Sequence, residues 1–268
     1  MLHLRAIEAV LADVGPRVIA CSGGIDSLLL ATLSHRHDAA ATVVAHTVTP
    51  AVPSDGTARV MAHARAEGWH LEVVRSREFD DERYLANPTD RCYYCKTNLY
   101  DAVAELAETA APTGAAVLSG ANLDDLGEYR PGLVAAAEHA VRHPYVEAEL
   151  TKADIRAVAR HIGLAEAELP ASPCLASRLY TGTRVTEARL RAIEIGEAVV
   201  RAAGMAVARC RVRGNEVLVE VPEADRVLVT QHVLDDVAVA MGTTCPDLVS
   251  VTLDDRPYRP GQAVLQVS

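Results

Sequence analysis

Aromatic residues are scarce in this chain, at 4% of 268 residues with one Trp and one Phe. A core with so few rings must be built from Ala, Val, Leu and Ile. No run approaches the roughly 20 uninterrupted apolar residues of a membrane-spanning helix. Basic excess is also lacking, since 26 Lys and Arg face 36 Asp and Glu for a formal net charge of −10. Such a surface has no general attraction for nucleic acid or an anionic bilayer, although a local basic pocket is compatible with it. Internal repeats and low-complexity tracts are missing too, which removes solenoids and tails. The N-terminal stretch Met1-Leu2-His3-Leu4-Arg5 reads as an amphipathic helix with early charge, not an export signal. The expectation is a cytoplasmic protein, where disulfides are rare.

What is present is ordinary globular composition, 50% hydrophobic and 23% charged. The length suits one large or two modest domains, and a chain of this size needs neither disulfide nor metal merely to fold. Short β-branched runs alternate with helical segments: strands at 17–21, 42–46, 71–74 and 115–118, with helices between them and a last one from Thr151, an N-cap candidate. That rhythm predicts an α/β domain over residues 1–168, with a parallel five-stranded-type sheet covered by helices on both faces and ligands at the carboxyl ends of the strands. Residues 169–185 read as a connecting loop. Residues 186–268 read as a small α+β domain: a long helix from Thr186, a hairpin turning at Gly214-Asn215, another helix and a last strand.

Ser22-Gly23-Gly24-Ile25-Asp26-Ser27 follows the first strand and opens the first helix of the alternating region. Two glycines let the backbone approach a phosphate, and the helix start supplies free N–H groups and a positive dipole end. The Ser22 and Ser27 hydroxyls can donate to further phosphate oxygens. Asp26 belongs beside phosphate only with a bridging cation, which predicts Mg²⁺ there. The motif is neither a Walker A loop nor G-x-G-x-x-G; the plain alternative is a tight strand-to-helix turn.

Six cysteines in a chain with no need of disulfides call for another explanation. Cys92 and Cys95, one helical turn apart, would point to one side of a helix and could share a metal centre. Cys174 could supply a third thiolate to such a centre. Zinc, or inert packing of Cys92 and Cys95 with Cys174 alone reactive, are the competing readings. Arg178, four residues after Cys174, would favour its thiolate. Arg209 and Arg211 alternate on a strand and could grip a substrate phosphate, or face solvent at a strand edge. Lys96 is a candidate cation for the reacting phosphate, or a solvated lysine near a helix start. Cys21 and Cys245 read as structural, and the ten histidines have no ligand spacing.

The S-G-G-x-D-S loop resembles that of the PP-loop ATP pyrophosphatases. Three further segments narrow the likeness: Asp90-Arg91-Cys92-Tyr93-Tyr94-Cys95-Lys96, Ser119 to Leu133 with Asn122, Asp124, Asp125, Glu128 and Tyr129, and Pro173-Cys174-Leu175-Ala176-Ser177-Arg178. With Arg209-Cys210-Arg211 and Glu220-Val221-Pro222-Glu223, the chain resembles the ATP-dependent sulfur transferase family LarE, collinearly over nearly its whole length. The resemblance implies adenylylation of the carboxyl groups of a pyridinium dicarboxylate mononucleotide with release of pyrophosphate, then sulfur insertion to give thiocarboxylates and AMP. It implies ATP contacts from Ser22, Gly23, Gly24, Asp26, Ser27, Thr47, Gly120 and Asp125, and substrate contacts from Arg178, Arg209, Arg211, Glu197 and Glu220. Catalytic roles would fall to Cys174, Lys96 and Asp26, with sulfide or another sulfur donor as co-substrate. In one branch of the family the cysteine matching Cys174 gives up its own sulfur. In another, cysteines matching Cys92, Cys95 and Cys174 hold a [4Fe-4S] cluster. This chain has all three, which departs from the self-consuming branch. The α+β tail offers a surface for homo-oligomerisation. A tRNA thiolase of the same superfamily is disfavoured by the acidic surface. A nucleotide sensor without turnover and an amide-forming synthetase complete the range of functions compatible with the loop.

Overall fold

The computed structural model describes residues 2–127 and 130–259, so Glu128 and Tyr129 of the long motif lie outside the described residues. The chain opens with α1 (Leu2–Val14), β1 (Arg17–Ala20), α2 (Ile25–His37), β2 (Thr42–Thr47), α3 (Ser54–Glu67) and β3 (Leu71–Val74). It continues through the short α4 (Glu82–Leu85), α5 (Arg91–Thr109), β4 (Ala116–Leu118), α6 (Pro131–Glu138), α7 (Pro144–Glu147) and α8 (Lys152–His161). After a loop come α9 (Glu187–Ala202), β5 (Arg209–Arg213), β6 (Glu216–Glu220), α10 (Gln231–Thr244) and β7 (Ser250–Leu253). No helix among the described residues is long and apolar enough to cross a membrane.

Two compact units form. The first runs from the N-terminus to Glu78 and from Cys92 to Ser172; the second combines Phe79–Arg91 with the chain from Pro173 onward. The strand–helix rhythm assigns residues 79–91 to the first domain, but the structure joins them to the second unit, for a local reason. Asn87 is buried with φ +54, and its Nδ2 donates to the Tyr180 and Thr183 carbonyls at 2.8 and 2.9 Å. The N–H of Gly182 donates back to the Asn87 carbonyl at 2.9 Å, and that of Val185 to the Leu85 carbonyl at 2.9 Å.

In the first unit four parallel strands lie in the order β3-β2-β1-β4. Val18 pairs with Val43 on one side and Val117 on the other. Successive side chains of a strand face opposite layers. Val18, Val43 and Ala45 accordingly meet Val103 of α5 with Leu99 and Leu106, while Ile19, Val44 and Leu118 meet Leu28 and Leu29 of α2, Leu11 of α1 and Ile155 of α8. α2 is buried on every side from Leu28 to Ser34, because neighbours enclose it. The fifth strand position is reduced to a single parallel bridge, Leu118 with Arg142. Arg142 exchanges bonds with Val117 and Ser119, but Pro144 then starts α7, leaving no length for a strand.

The second unit has the expected antiparallel hairpin, Arg211 opposite Leu218, with β7 added in parallel beside β6. Gly214 turns it at φ +59. The predicted last helix begins later than the 227 its pattern suggests, at Gln231, because Thr230 caps it by accepting the Val233 N–H.

Candidate active site

The strand order reverses between β1 and β4, since β1 leads to β2 on one side and β4 returns on the other. Ligands of open α/β sheets bind outside the carboxyl ends of the strands at such a switch point. The loop Ser22-Gly23-Gly24 lies there at the end of β1, with Thr47 ending β2 and Gly120 following β4. Gly23 has φ +80, and a Cβ on it would collide with the main-chain oxygen of Gly56 in α3. A Cβ at Gly120 would lie 3.1 Å from main-chain and side-chain atoms of Asp26 and Ser27. Gly23 therefore requires glycine, and a side chain at Gly120 would need its neighbours to give by a few tenths of an ångström. Gly24 stands at the N-cap of α2 and brings no side chain to satisfy the first-turn N–H groups, which suits them to an anion.

Ser22 and Ser27 divide their tasks. Ser27 is buried; its hydroxyl donates to the Gly24 carbonyl at 3.0 Å and accepts the Ser22 N–H at 3.1 Å, so it shapes the loop. Ser22 is exposed, and its hydroxyl lies 3.2 Å from that of Ser27.

The start of α3 clamps this loop. Arg59 Nε donates to the Gly23 carbonyl at 3.1 Å. Buried His46, in β2, reaches the Cys21 carbonyl with Nδ1 at 2.8 Å and the Thr57 hydroxyl with Nε2 at 3.0 Å. A carbonyl can only accept, so Nδ1 carries the proton. Burial holds this imidazole below its ordinary range and neutral, which lets Thr57 donate to Nε2. Spacing along the chain does not reveal His46, because its partners are 25 and 11 residues away. A folded-state pKa below the ordinary 6.5 means the unfolded chain binds the extra proton. The contribution is therefore complete above that value and is lost as pH falls below it. Urea midpoints should drop between pH 7.5 and pH 5.5, and drop less in H46Q; an equal drop in both would remove His46 as the source.

Asp26 sits in the first turn of α2, its main-chain oxygen fixed by the Tyr145 hydroxyl at 2.9 Å. Burial raises its pKa, opposed by Lys152, whose Nζ donates to Oδ2. Oδ1 is buried with no hydrogen-bond partner, an acceptor in keeping with a hard cation. Asp125 holds the turn after β4 by accepting the Asn122 N–H at 3.0 Å and pairing with Arg130 at 2.6 Å. The cation against Asp26 is Lys152, which no motif in the sequence singles out. Lys96 lies on α5 with Nζ 5.7 Å from the Tyr100 ring centroid.

The cysteines separate by exposure. Cys21, Cys210 and Cys245 are buried, Cys92 is exposed, and Cys95 and Cys174 are half-exposed. Burial pushes the Cys21 thiol up to about 11 and Cys210 higher still, so neither is a ready thiolate. Cys92 and Cys95 lie within the first five residues of α5, in the first unit, and Cys174 belongs to the second. Within either unit, the described residues contain no group of three His, Cys, Asp or Glu side chains arranged for a metal ion. Thiolates are the donors that iron–sulfur clusters take, and Cys92, Cys95 and Cys174 are the cysteines that are not buried.

Around Cys174 the second unit is highly charged and buried. Arg178 grips Glu197 with two bonds, 2.9 and 3.1 Å, each side chain 4% exposed. Its third nitrogen donates to the Pro173 and Cys174 carbonyls at 2.8 and 3.2 Å. Its hydrogen bonds thus reach the Cys174 main chain, and they fix that residue at the N-cap of the 3-10 turn Leu175–Arg178. Arg211 Nε and Glu220 Oε2 approach to 2.8 Å without the alignment of a hydrogen bond, leaving both buried atoms with unfilled capacity. Glu197 and Glu220 are thereby counter-ions of Arg178 and Arg211. Arg209 has no ion pair among the described residues; its guanidinium lies 5.1 Å from the Tyr258 ring centroid, and burial with Arg178 nearby lowers its pKa.

A parallel α/β sheet with a phosphate loop at its switch point, followed by an α+β unit, defines a PP-loop-like protein. No family model matches the sequence. The chain is 31% identical over 222 residues to a pyridinium-3,5-bisthiocarboxylic acid mononucleotide synthase of Lactiplantibacillus plantarum, covering 81% of this chain and 79% of that one. It is 31% identical over 264 residues to an uncharacterised protein of Synechocystis, 97% of this chain and 96% of the other. An uncharacterised protein of Methanocaldococcus jannaschii is 27% identical over 206 residues, 77% of each chain. The chain belongs to the LarE family of sulfur transferases.

Proposed function

We propose that this protein is an ATP-dependent sulfur transferase acting on a carboxylate of a pyridinium dicarboxylate mononucleotide. The observation that carries the reading is the Ser-Gly-Gly loop at the β1/β4 switch point, with N–H groups at the α2 start that no side chain caps and Ser22 exposed beside them. The Lactiplantibacillus relative, a synthase of a pyridinium bisthiocarboxylic acid mononucleotide, supports the substrate class. A carboxylate oxygen attacks the α-phosphorus and the bond to the bridging oxygen breaks, so pyrophosphate leaves with that electron pair. Sulfur then attacks the acyl carbon and AMP departs with the C–O pair. The loop binds and orients the departing phosphates, which in such reactions supplies much of the acceleration. Asp26 would hold a divalent cation that neutralises charge on those phosphates. Cys92, Cys95 and Cys174 would hold a [4Fe-4S] cluster, which supplies an open iron for carrying sulfide. Arg209 would meet the substrate's own phosphate, since Arg178 and Arg211 already face Glu197 and Glu220.

Labelled ATP tests this. With the mononucleotide diacid and sulfide, AMP and pyrophosphate should form in equal amounts. ADP and inorganic phosphate as primary products would overturn adenylylation, and tight ATP binding without turnover would favour a sensor.

A further inference from the structure

Asp26 and Lys152 are 126 residues apart in sequence, yet they form the only ion pair at the phosphate loop among the described residues. Their side chains are 26% and 33% exposed, so a ligand at the loop can reach both. The lysine's backbone is held on both sides. Thr151 caps α8 in a full capping box with Asp154, and the Lys152 N–H donates to Asp124 Oδ2 at 2.9 Å. The helix start is thus rigid, while the four-carbon side chain can swing without disturbing it. Arg156, one turn on, is a poor substitute: its guanidinium is engaged by the Ala167 and Leu169 carbonyls at 2.5 and 2.7 Å. Asp26 itself is half-committed, with Oδ2 on Lys152 and Oδ1 buried and unpartnered.

We propose that Lys152 is an exchangeable counter-ion, a positioning residue that occupies Asp26 until a nucleotide arrives and then transfers to its phosphates, releasing the carboxylate to a divalent cation. The inference rests on the ATP reading above. Its logic is one of linkage. A cation arriving alone must displace the ammonium and leave it without a partner beside a second positive charge. A cation arriving with a triphosphate meets an ammonium that has a new anion within reach of the same loop. Nucleotide and metal therefore bind cooperatively, each strengthening the other by the same factor. Lysine suits the exchange because its charge is a compact point on a flexible stem.

The test measures Mn²⁺ binding by electron paramagnetic resonance, with and without a non-hydrolysable ATP analogue, in the full-length protein and in K152Q and K152R. The unsubstituted protein should bind Mn²⁺ about tenfold or more tightly with the analogue than without it, within the usual range of coupling between two sites. K152Q should bind Mn²⁺ alone more tightly than the unsubstituted protein and lose most of the enhancement by nucleotide, and K152R should restore the enhancement. Unchanged Mn²⁺ affinity and intact coupling in K152Q would overturn the exchange. Absence of any analogue binding by the unsubstituted protein would instead overturn the ATP reading, a separate outcome.

Discussion

Cys174→Ala is expected to abolish sulfur transfer completely, while the urea midpoint moves little, because the side chain is half-exposed and contributes little to the core. Cys92→Ala and Cys95→Ala should each lose iron and repeated turnover with folding likewise intact. Iron and sulfide analysis after anaerobic purification, together with the intact protein mass before and after turnover, reads all three variants. Loss of one hydrogen sulfide equivalent from the protein, with single turnover surviving in the Cys92 and Cys95 variants, would make Cys174 the sulfur source and remove the cluster. The proposed adenylylation would be untouched by that result, since that reading rests on the loop at the β1/β4 switch point and not on the cysteines.

Glu197→Ala should cause the largest loss of stability among single side-chain truncations in the second unit. The Arg178 guanidinium would remain buried with its carboxylate gone, and breaking a buried pair in this way typically costs about 3–5 kcal/mol. The loss extends beyond one contact, because Glu197 also receives the Cys210 N–H at 3.4 Å and sits 3.6 Å from Arg201. Glu197→Gln retains an acceptor for Arg178 and should lose less. Equilibrium urea unfolding measures both; a shift below about 1 kcal/mol for the alanine variant, within the range of an exposed pair, would contradict the buried geometry. Because Arg178 also binds the Pro173 and Cys174 carbonyls, the alanine variant should show faster hydrogen exchange across Leu175–Arg178.

Local signals in the sequence reveal much of this molecule. The four parallel strands, the Thr151 cap, the Gly214 turn and the phosphate loop all depend on neighbours within a few residues, and each is legible as such. The features that are not legible depend on distant partners. In the sequence Lys152 is only part of a helix start, because nothing near it announces Asp26. His46 looks like one histidine in a buried strand, although its two nitrogens tie the residue after β1 to α3. Ser27 has the place of a phosphate donor in the motif, but the tight turn folds its hydroxyl inward onto the Gly24 carbonyl. The resemblance to LarE marks Arg178, Arg211, Glu197 and Glu220 alike as substrate contacts. That Glu197 and Glu220 stand against the two arginines follows from how α9 and the hairpin pack, which periodicity cannot convey.

The excursion of Phe79–Arg91 into the second unit has a bearing on how this protein can be inherited and exchanged. The chain passes between its units three times, after Glu78, after Arg91 and after Ser172. A single recombination joint at any point therefore cannot separate one unit from the other. Joined to a foreign partner from residue 173, the second unit would lack Asn87, and the Tyr180 and Thr183 carbonyls would lose the amide that binds them. The two units are consequently expected to travel as one block, with cysteine pair, phosphate loop and Cys174 loop changing together instead of being assembled piecemeal.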